Sequence, residues 1–263
     1  MATPIKVGTR IVECSAVLFD KDGTLTDGFT YWKGVAEARL RALSDILSLP
    51  ARITEACRKT LGITPDGRFD PQGPFILTSQ KEEMIVIATA LYQHGFRWDE
   101  AVAKVEDSYR IAESRLDITG ISKAIPGARK ALEGLLNSGV HTGVVTTDTS
   151  GRARRMLAAA GLEDVIETIV GVDNVPLGKP HPDSIFRACD ELGVEPSQVV
   201  YVGDTPTDMR TGLNAGVMLK IGVLTGAGSR ETLEPLADVV LASVAEIEIA
   251  GIMNRPGSAC PRL

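Results

Sequence analysis

The apolar positions of the chain fall into two patterns. Short runs with consecutive apolar residues, many of them β-branched, occupy 16–19, 143–145, 169–170, 199–202, 217–223 and 239–241. A strand that is apolar at successive positions has both faces covered, as in a parallel sheet with helices on either side. Between these runs apolar residues recur every three or four positions, which marks one face of a helix. Ala131, Leu132, Leu135 and Leu136 follow Pro126 and Gly127. Ile185, Cys189 and Leu192 follow Pro182, which reads as a first helical position, and Met209 and Leu213 follow Pro206. Strand and helix alternate, which predicts an α/β fold on an open sheet with right-handed crossovers.

From 28 to 121 the alternation stops and helical stripes dominate. Ala36, Leu40, Leu43 and Leu47 make one stripe; Met84, Ala88 and Leu91 a second; Val102, Val105, Tyr109, Ala112 and Leu116 a third. Between the first two lies ITPDGRFDPQGPF, residues 63–75, whose Pro and Gly content predicts a loop. The expected organisation is a core of residues 1–27 and 122–250, a helical insert at 28–121, and a fraying tail at 251–263.

Composition narrows the function classes. The 263 residues are 44% hydrophobic and 24% charged, an ordinary globular balance, and long enough for an α/β domain carrying a smaller one. The net charge of −6 and the lack of a long basic run weigh against nucleic acid as a partner. With no apolar stretch of about 18 residues and no leader-like segment, no membrane partner and a cytoplasmic location are expected. Cys14, Cys57, Cys189 and Cys260 form no C-x-x-C pair, and His94, His141 and His181 show no metal spacing. The thiols read as incidental ones in a reducing compartment.

The chemistry gathers at strand ends. In open α/β sheets ligands bind beyond the carboxyl ends of the strands. Asp20 and Asp22 follow the first run, and Thr146, Thr147 and Asp148 follow the second. Gly178, Lys179 and Pro180 lie after the third; Gly203, Asp204 and Asp208 follow the fourth. Parallel strands would bring all of them to one edge. Carboxylates in that number suit Mg²⁺, which binds through one or two of them plus substrate phosphate. An aspartate can serve as nucleophile, a second carboxyl group as general acid and base, and a lysine and a hydroxyl can hold phosphoryl oxygens.

These residues resemble the haloacid dehalogenase superfamily, its phosphatase branch in particular. Asp20-Lys21-Asp22-Gly23-Thr24 matches the D-x-D-G-T motif. Thr146 matches the Thr or Ser that ends the second motif strand. Lys179 in GKPHPD matches the motif lysine, and Gly203-Asp204 with Asp208 matches G-D-x-x-x-D. The resemblance covers about residues 15–241. It implies an open parallel Rossmann-like sheet core with an inserted helical cap. It implies that Asp20 is the nucleophile and Asp22 the general acid and base, with a backbone carbonyl that reaches the metal. Asp204 is then a metal ligand, Asp208 ligates or orients Lys179, and Thr146 and Lys179 hold phosphate. Asp22 speaks against dehalogenation, which needs no proton donor for the leaving group. An insert placed directly after the first motif is similar to the cap of the phosphoglycolate phosphatase and β-phosphoglucomutase group. Residues 221–233 are also similar to phosphoglycolate phosphatases, whereas Lys21 stands where an apolar residue is common.

The implied function is a Mg²⁺-dependent phosphatase that hydrolyses a small phosphate monoester, phosphoglycolate-like or a sugar phosphate, through an aspartyl-phosphate. Its partner is a small phosphorylated metabolite, and the chain is expected as a monomer or homodimer. The alternatives are a phosphomutase of the β-phosphoglucomutase type, or a phosphonate hydrolase using a lysine of the insert such as Lys33 or Lys81. Thr147, Asp148, Arg68 and Lys81 are candidates for substrate contact, together with Ser79 and Gln80. Gly226-Ala227-Gly228 reads as a loop before a helix capped by Ser229. Arg152, Arg154 and Arg155 read as a solvated face. His181 reads as a cap or surface residue, and Trp32 and Trp98 as packing.

Overall fold

The structure, a computed structural model, describes residues 2–64, 67–70 and 73–250. The expected tail at 251–263, with Cys260, lies outside the described residues. The chain divides into two compact units, one of residues 1–27 and 123–263 and one of residues 28–122.

The first unit begins with a hairpin, β1 (Thr3–Val7) and β2 (Arg10–Cys14), followed by β3 (Ala16–Phe19). The chain then forms the helices of the second unit: α1 (Gly28–Leu47), α2 (Ala51–Thr60), α3 (Pro74–Leu77), α4 (Gln80–Gln93), α5 (Trp98–Arg115) and α6 (Ile118–Ile121). It returns through α7 (Ala128–Asn137), β4 (His141–Val145), α8 (Ser150–Ala159), β5 (Thr168–Val170) and α9 (Asp183–Leu192). It continues with β6 (Val199–Gly203), α10 (Pro206–Ala215), β7 (Leu219–Val223), α11 (Arg230–Leu233), β8 (Val239–Leu241) and β9 (Ile247–Ile249).

Six strands form a parallel sheet in the order β5-β4-β3-β6-β7-β8. The chain moves outward from β3 on one side, then restarts at β6 on the other. At that switch the segments after β3 and β6 meet, with the Thr24 hydroxyl donating to Asp204, and this is where open α/β sheets bind ligands. The consecutive apolar runs follow from burial on both faces. Val17, Phe19, Val144, Val200 and Val202 pack with Leu132 and Leu135 of α7 and Leu157 of α8. Ala16, Leu18, Val145 and Tyr201 point the other way, against Ile185, Ala188 and Cys189 of α9.

Three strands had no counterpart in the sequence reading. β1, β2 and β9 form a separate antiparallel sheet in the order β2-β1-β9, with Ile5, Val7, Cys14 and Ile247 buried in the same core as β3. The apolar run 217–223 starts its strand late. The Val217 amide bonds back to the Gly212 carbonyl and so closes α10, and β7 begins at Leu219. Pro182 sits just outside α9 as its N-cap residue.

In the second unit the helical stripes meet. Leu40 and Leu43 of α1, Ile87, Ala88 and Leu91 of α4, and Val105 and Tyr109 of α5 are buried together. α2, absent from the sequence reading, adds Ile53 and Cys57. The tract 63–75 ends in α3, with Pro74 at a first-turn position where its missing N–H costs nothing. A buried Arg39 donates to Glu83 Oε2 at 2.8 Å, and the Tyr109 hydroxyl donates to Glu83 Oε1. Trp32 is partly buried in this cluster, while Trp98 is largely exposed.

Leu132 is fully buried at the centre of the α7 contact with the sheet. Leu132→Ala is expected to cost about 2–5 kcal/mol, by lost transfer energy and the cavity left behind. The shift of the urea midpoint measures it.

Candidate active site

β3 runs straight into its two aspartates. The Asp20 N–H donates to the Val202 carbonyl at 2.8 Å, so Asp20 is fixed at the seam between β3 and β6. The chain then turns sharply. The Leu25 and Thr26 amides both donate to the Lys21 carbonyl, and Gly23 adopts a φ of +85° that disfavours any side chain.

Asp204 leaves the end of β6 beside Asp20 and is cradled by a loop. The Ala227 N–H donates to Asp204 Oδ2 at 2.8 Å, and the Thr24 hydroxyl donates to Oδ1 at 3.3 Å. Gly226 lies so close that a Cβ there would sit 1.9 Å from Asp204 Oδ2. The glycines of residues 226–228 are therefore required for close approach to Asp204. This is a role beyond that of the loop leading into the helix at Ser229.

Lys179 joins two acids. Its buried Nζ donates to Asp20 Oδ1 at 2.7 Å and to Asp208 Oδ1 at 2.8 Å. Asp208 is held from every side. The Tyr201 hydroxyl donates to its Oδ1 at 3.1 Å, and the Thr205 N–H donates to its Oδ2 at 3.1 Å, as does the Thr205 hydroxyl. Thr205 and Asp208 thus cap α10 reciprocally. The G-D-T-P-T-D stretch is at once a helix start and the anchor of Lys179.

Among the described residues, Asp20, Asp204 and Asp208 form a group whose ligand oxygens all lie within 4.8 Å of one another, all buried. In this set three carboxylates share one ammonium, a shortfall of two positive charges. The strain shows in the acids. Burial pushes Asp20 up to about 7, with Lys179 opposing and Asp208 and Asp22 adding to it. Burial, then the charges of Asp20 and Asp208, hold Asp204 well above the usual carboxylate range. Burial alone would depress Lys179, but Asp20 and Asp208 outweigh it and keep it firmly protonated. A buried, all-oxygen, electron-rich donor set fits a hard divalent cation.

A family model described as haloacid dehalogenase-like hydrolase matches residues 14–216. The chain belongs to the haloacid dehalogenase-like hydrolase family. Within it, the chain is 32% identical over 225 residues to a phosphoglycolate phosphatase of Rhodospirillum rubrum, across 84% of this chain and 83% of that one. A haloacid dehalogenase-like family hydrolase of Streptococcus pneumoniae has the same fold, with TM-score 0.62, 20% identity, and coverage of 89% of this chain and 96% of that one. A β-phosphoglucomutase of Clostridium difficile also shares it, with TM-score 0.58, 20% identity, and coverage of 89% and 92%.

The remaining motif residues lie around this centre or apart from it. Thr146 is buried at the end of β4, where its Oγ1 accepts from the Asp148 N–H at 3.1 Å. Asp22, two residues from Asp20, lies outside the three-acid group. Both its oxygens are 2.6 Å from Lys21 Nζ. Thr147 is exposed, while Asp148 is half-buried beside Lys21 and Arg152. Arg152 thus departs from the solvated face expected of it, which Arg154 and Arg155 do form. Arg68 and Lys81 are exposed residues of the helical unit. Ser79 is committed to a capping box with Glu82 at the start of α4. His181 is half-exposed and pairs with Asp183. Tyr201 and Thr205 were given no site role from the sequence, Thr24 none beyond its place in the motif, and Gly226 none beyond a loop. The available signals were the motif position of Thr24 and the pair of glycines flanking Ala227.

The raised acid has a consequence for stability without metal. Asp20 titrates near 7 in the fold against 3.8 ordinarily, so between these values the native state holds a proton that the unfolded chain has lost. Chelated protein is therefore expected to lose stability as pH rises from about 4 to about 7, and Asp20→Asn to flatten that slope. Urea midpoints measured across this range in chelator test it, and equal slopes for the two proteins would contradict it.

Proposed function

We propose that the protein is a Mg²⁺-dependent phosphatase of small phosphate monoesters, working through phosphorylated Asp20. The observation that carries this reading is the junction of Asp20, Asp208 and Lys179, with Asp204 beside them, at the switch of the parallel sheet. Asp20, Asp204 and the Asp22 backbone carbonyl would hold the ion, and Asp208, its oxygens already engaged, serves chiefly to aim Lys179. The bound ion supplies neutralisation of phosphate charge and Lewis-acid polarisation of a phosphoryl oxygen.

The chain's own groups perform the transfer. A carboxylate oxygen of Asp20 bonds to phosphorus while the bond from phosphorus to the ester oxygen breaks. The electron pair left on that oxygen takes the proton of Asp22, and the alcohol leaves. Water then attacks phosphorus and gives a proton back to Asp22, and phosphate and the Asp20 carboxylate are released. Lys179 and Thr146 stabilise the charge on the phosphoryl oxygens during both steps.

The Rhodospirillum relative supports a phosphoglycolate-like substrate, with sugar phosphates as the neighbouring class. The helical unit at 28–122 is the cap that selects the leaving group; Arg68 and Lys81 of that unit and Thr147 of the core are the candidates for substrate contact. Among the described residues no helix is long and apolar enough to cross a membrane. The buried free thiols of Cys14, Cys57 and Cys189 support a reducing, cytoplasmic setting.

Phosphate release from 2-phosphoglycolate, sugar phosphates and nucleotides, each with Mg²⁺ and with chelator, tests the reading. Activity is expected on at least one monoester, lost on chelation and restored by Mg²⁺. Asp20→Asn is expected to lower it by more than about 10³-fold while keeping a cooperative urea transition. Full activity in that variant would sink the mechanism.

A further inference from the structure

Lys21 is a lysine with no exposed surface, placed between the two aspartates of the first motif. A buried ammonium is expensive unless paired, so its partners show what it is for. Its Nζ lies 2.6 Å from both oxygens of Asp22, and the Thr26 hydroxyl donates to Asp22 Oδ1 at 3.1 Å. Behind the ammonium stand Met156 Sδ at 3.2 Å and Asp148 Oδ2 at 3.7 Å. That oxygen of Asp148 is buried without a hydrogen bond, and Arg152 Nε lies 3.6 Å from it. Asp22, Lys21, Asp148 and Arg152 therefore form a strip of alternating charge that is neutral as a whole. The three-acid group around Lys179 is short of two positive charges, and Asp22 takes no part in it.

We infer that Lys21 is a positioning residue for Asp22, fixing its carboxyl group for proton transfer. The inference rests on the phosphatase reading and adds to it a residue without which the acid and base would drift. Two short charge-assisted hydrogen bonds to one carboxylate set its rotation as well as its position. With an apolar residue at 21, Asp22 loses both and is free to turn away from the position that proton transfer needs. Asp148 and Arg152 act one step further back, by holding the ammonium in place.

Leaving-group chemistry separates this from a merely structural role. An alkyl phosphate expels a basic alkoxide and needs Asp22's proton, whereas 2,4-dinitrophenyl phosphate expels a stable phenolate and does not. The ratio kcat/KM reports the step that breaks the ester bond, before water attacks. Lys21→Met is expected to lower kcat/KM for 2-phosphoglycolate by about 10²-fold, and that for 2,4-dinitrophenyl phosphate by less than about 3-fold. Asp148→Asn is expected to show the same selectivity with a smaller loss. It decides the matter if Lys21→Met lacks a cooperative urea transition. An equal loss on both substrates, or no loss on either, overturns the inference while leaving the phosphatase reading intact. A wild-type protein inactive on both substrates and on the wider panel overturns both.

Discussion

The ammonium of Lys179, lodged between Asp20 and Asp208, is the contact on which the site depends. One buried cation cannot neutralise three buried carboxylates. Fully ionised, they would leave a pocket of unbalanced negative charge, and burial first, with the neighbouring acids adding to it, holds Asp20 and Asp204 above the usual carboxylate range. A divalent cation and a phosphate dianion entering together would leave the total charge almost unchanged. An anionic substrate thus becomes acceptable to an acidic site on an acidic protein.

The scaffold makes the pocket rigid. Asp20 is tied by its own amide to β6, Asp204 is wrapped by a glycine-flanked loop, and Asp208 is locked by a helix cap and a tyrosine. Each tether comes from backbone or from a buried side chain, so none has to be ordered when substrate arrives. The sheet order places the carboxyl ends of β3 and β6 side by side at the switch point.

Much of this was legible in the sequence because it is local. Doubly buried strands announce themselves as apolar runs, and the acids and the lysine follow those runs directly. What was hidden depends on partners distant in the chain. TPIKV and RIVEC carry too mixed a pattern to read as strands, and β9 exists because β1 lies beside it. Gly226 looked like loop punctuation, and only its distance from Asp204 gives it a purpose. Arg152 sat among arginines on a polar helix; its i,i+4 spacing from Asp148 hinted at that pair, but nothing in the spacing signals that Lys21 lies against Asp148 as well. Lys21 itself was visible as an unusual residue, but its meaning required seeing both of its bonds to Asp22.

The claim that the site is built around a shortage of positive charge is tested most directly by calorimetric titration of the metal-free protein with Mg²⁺, repeated with Asp204→Asn. The account predicts one ion per chain, proton release that grows as the pH of titration falls toward the range where Asp20 and Asp204 are protonated, and much weaker binding by the variant. Binding of equal strength in both proteins, or no binding in the wild type, would contradict it.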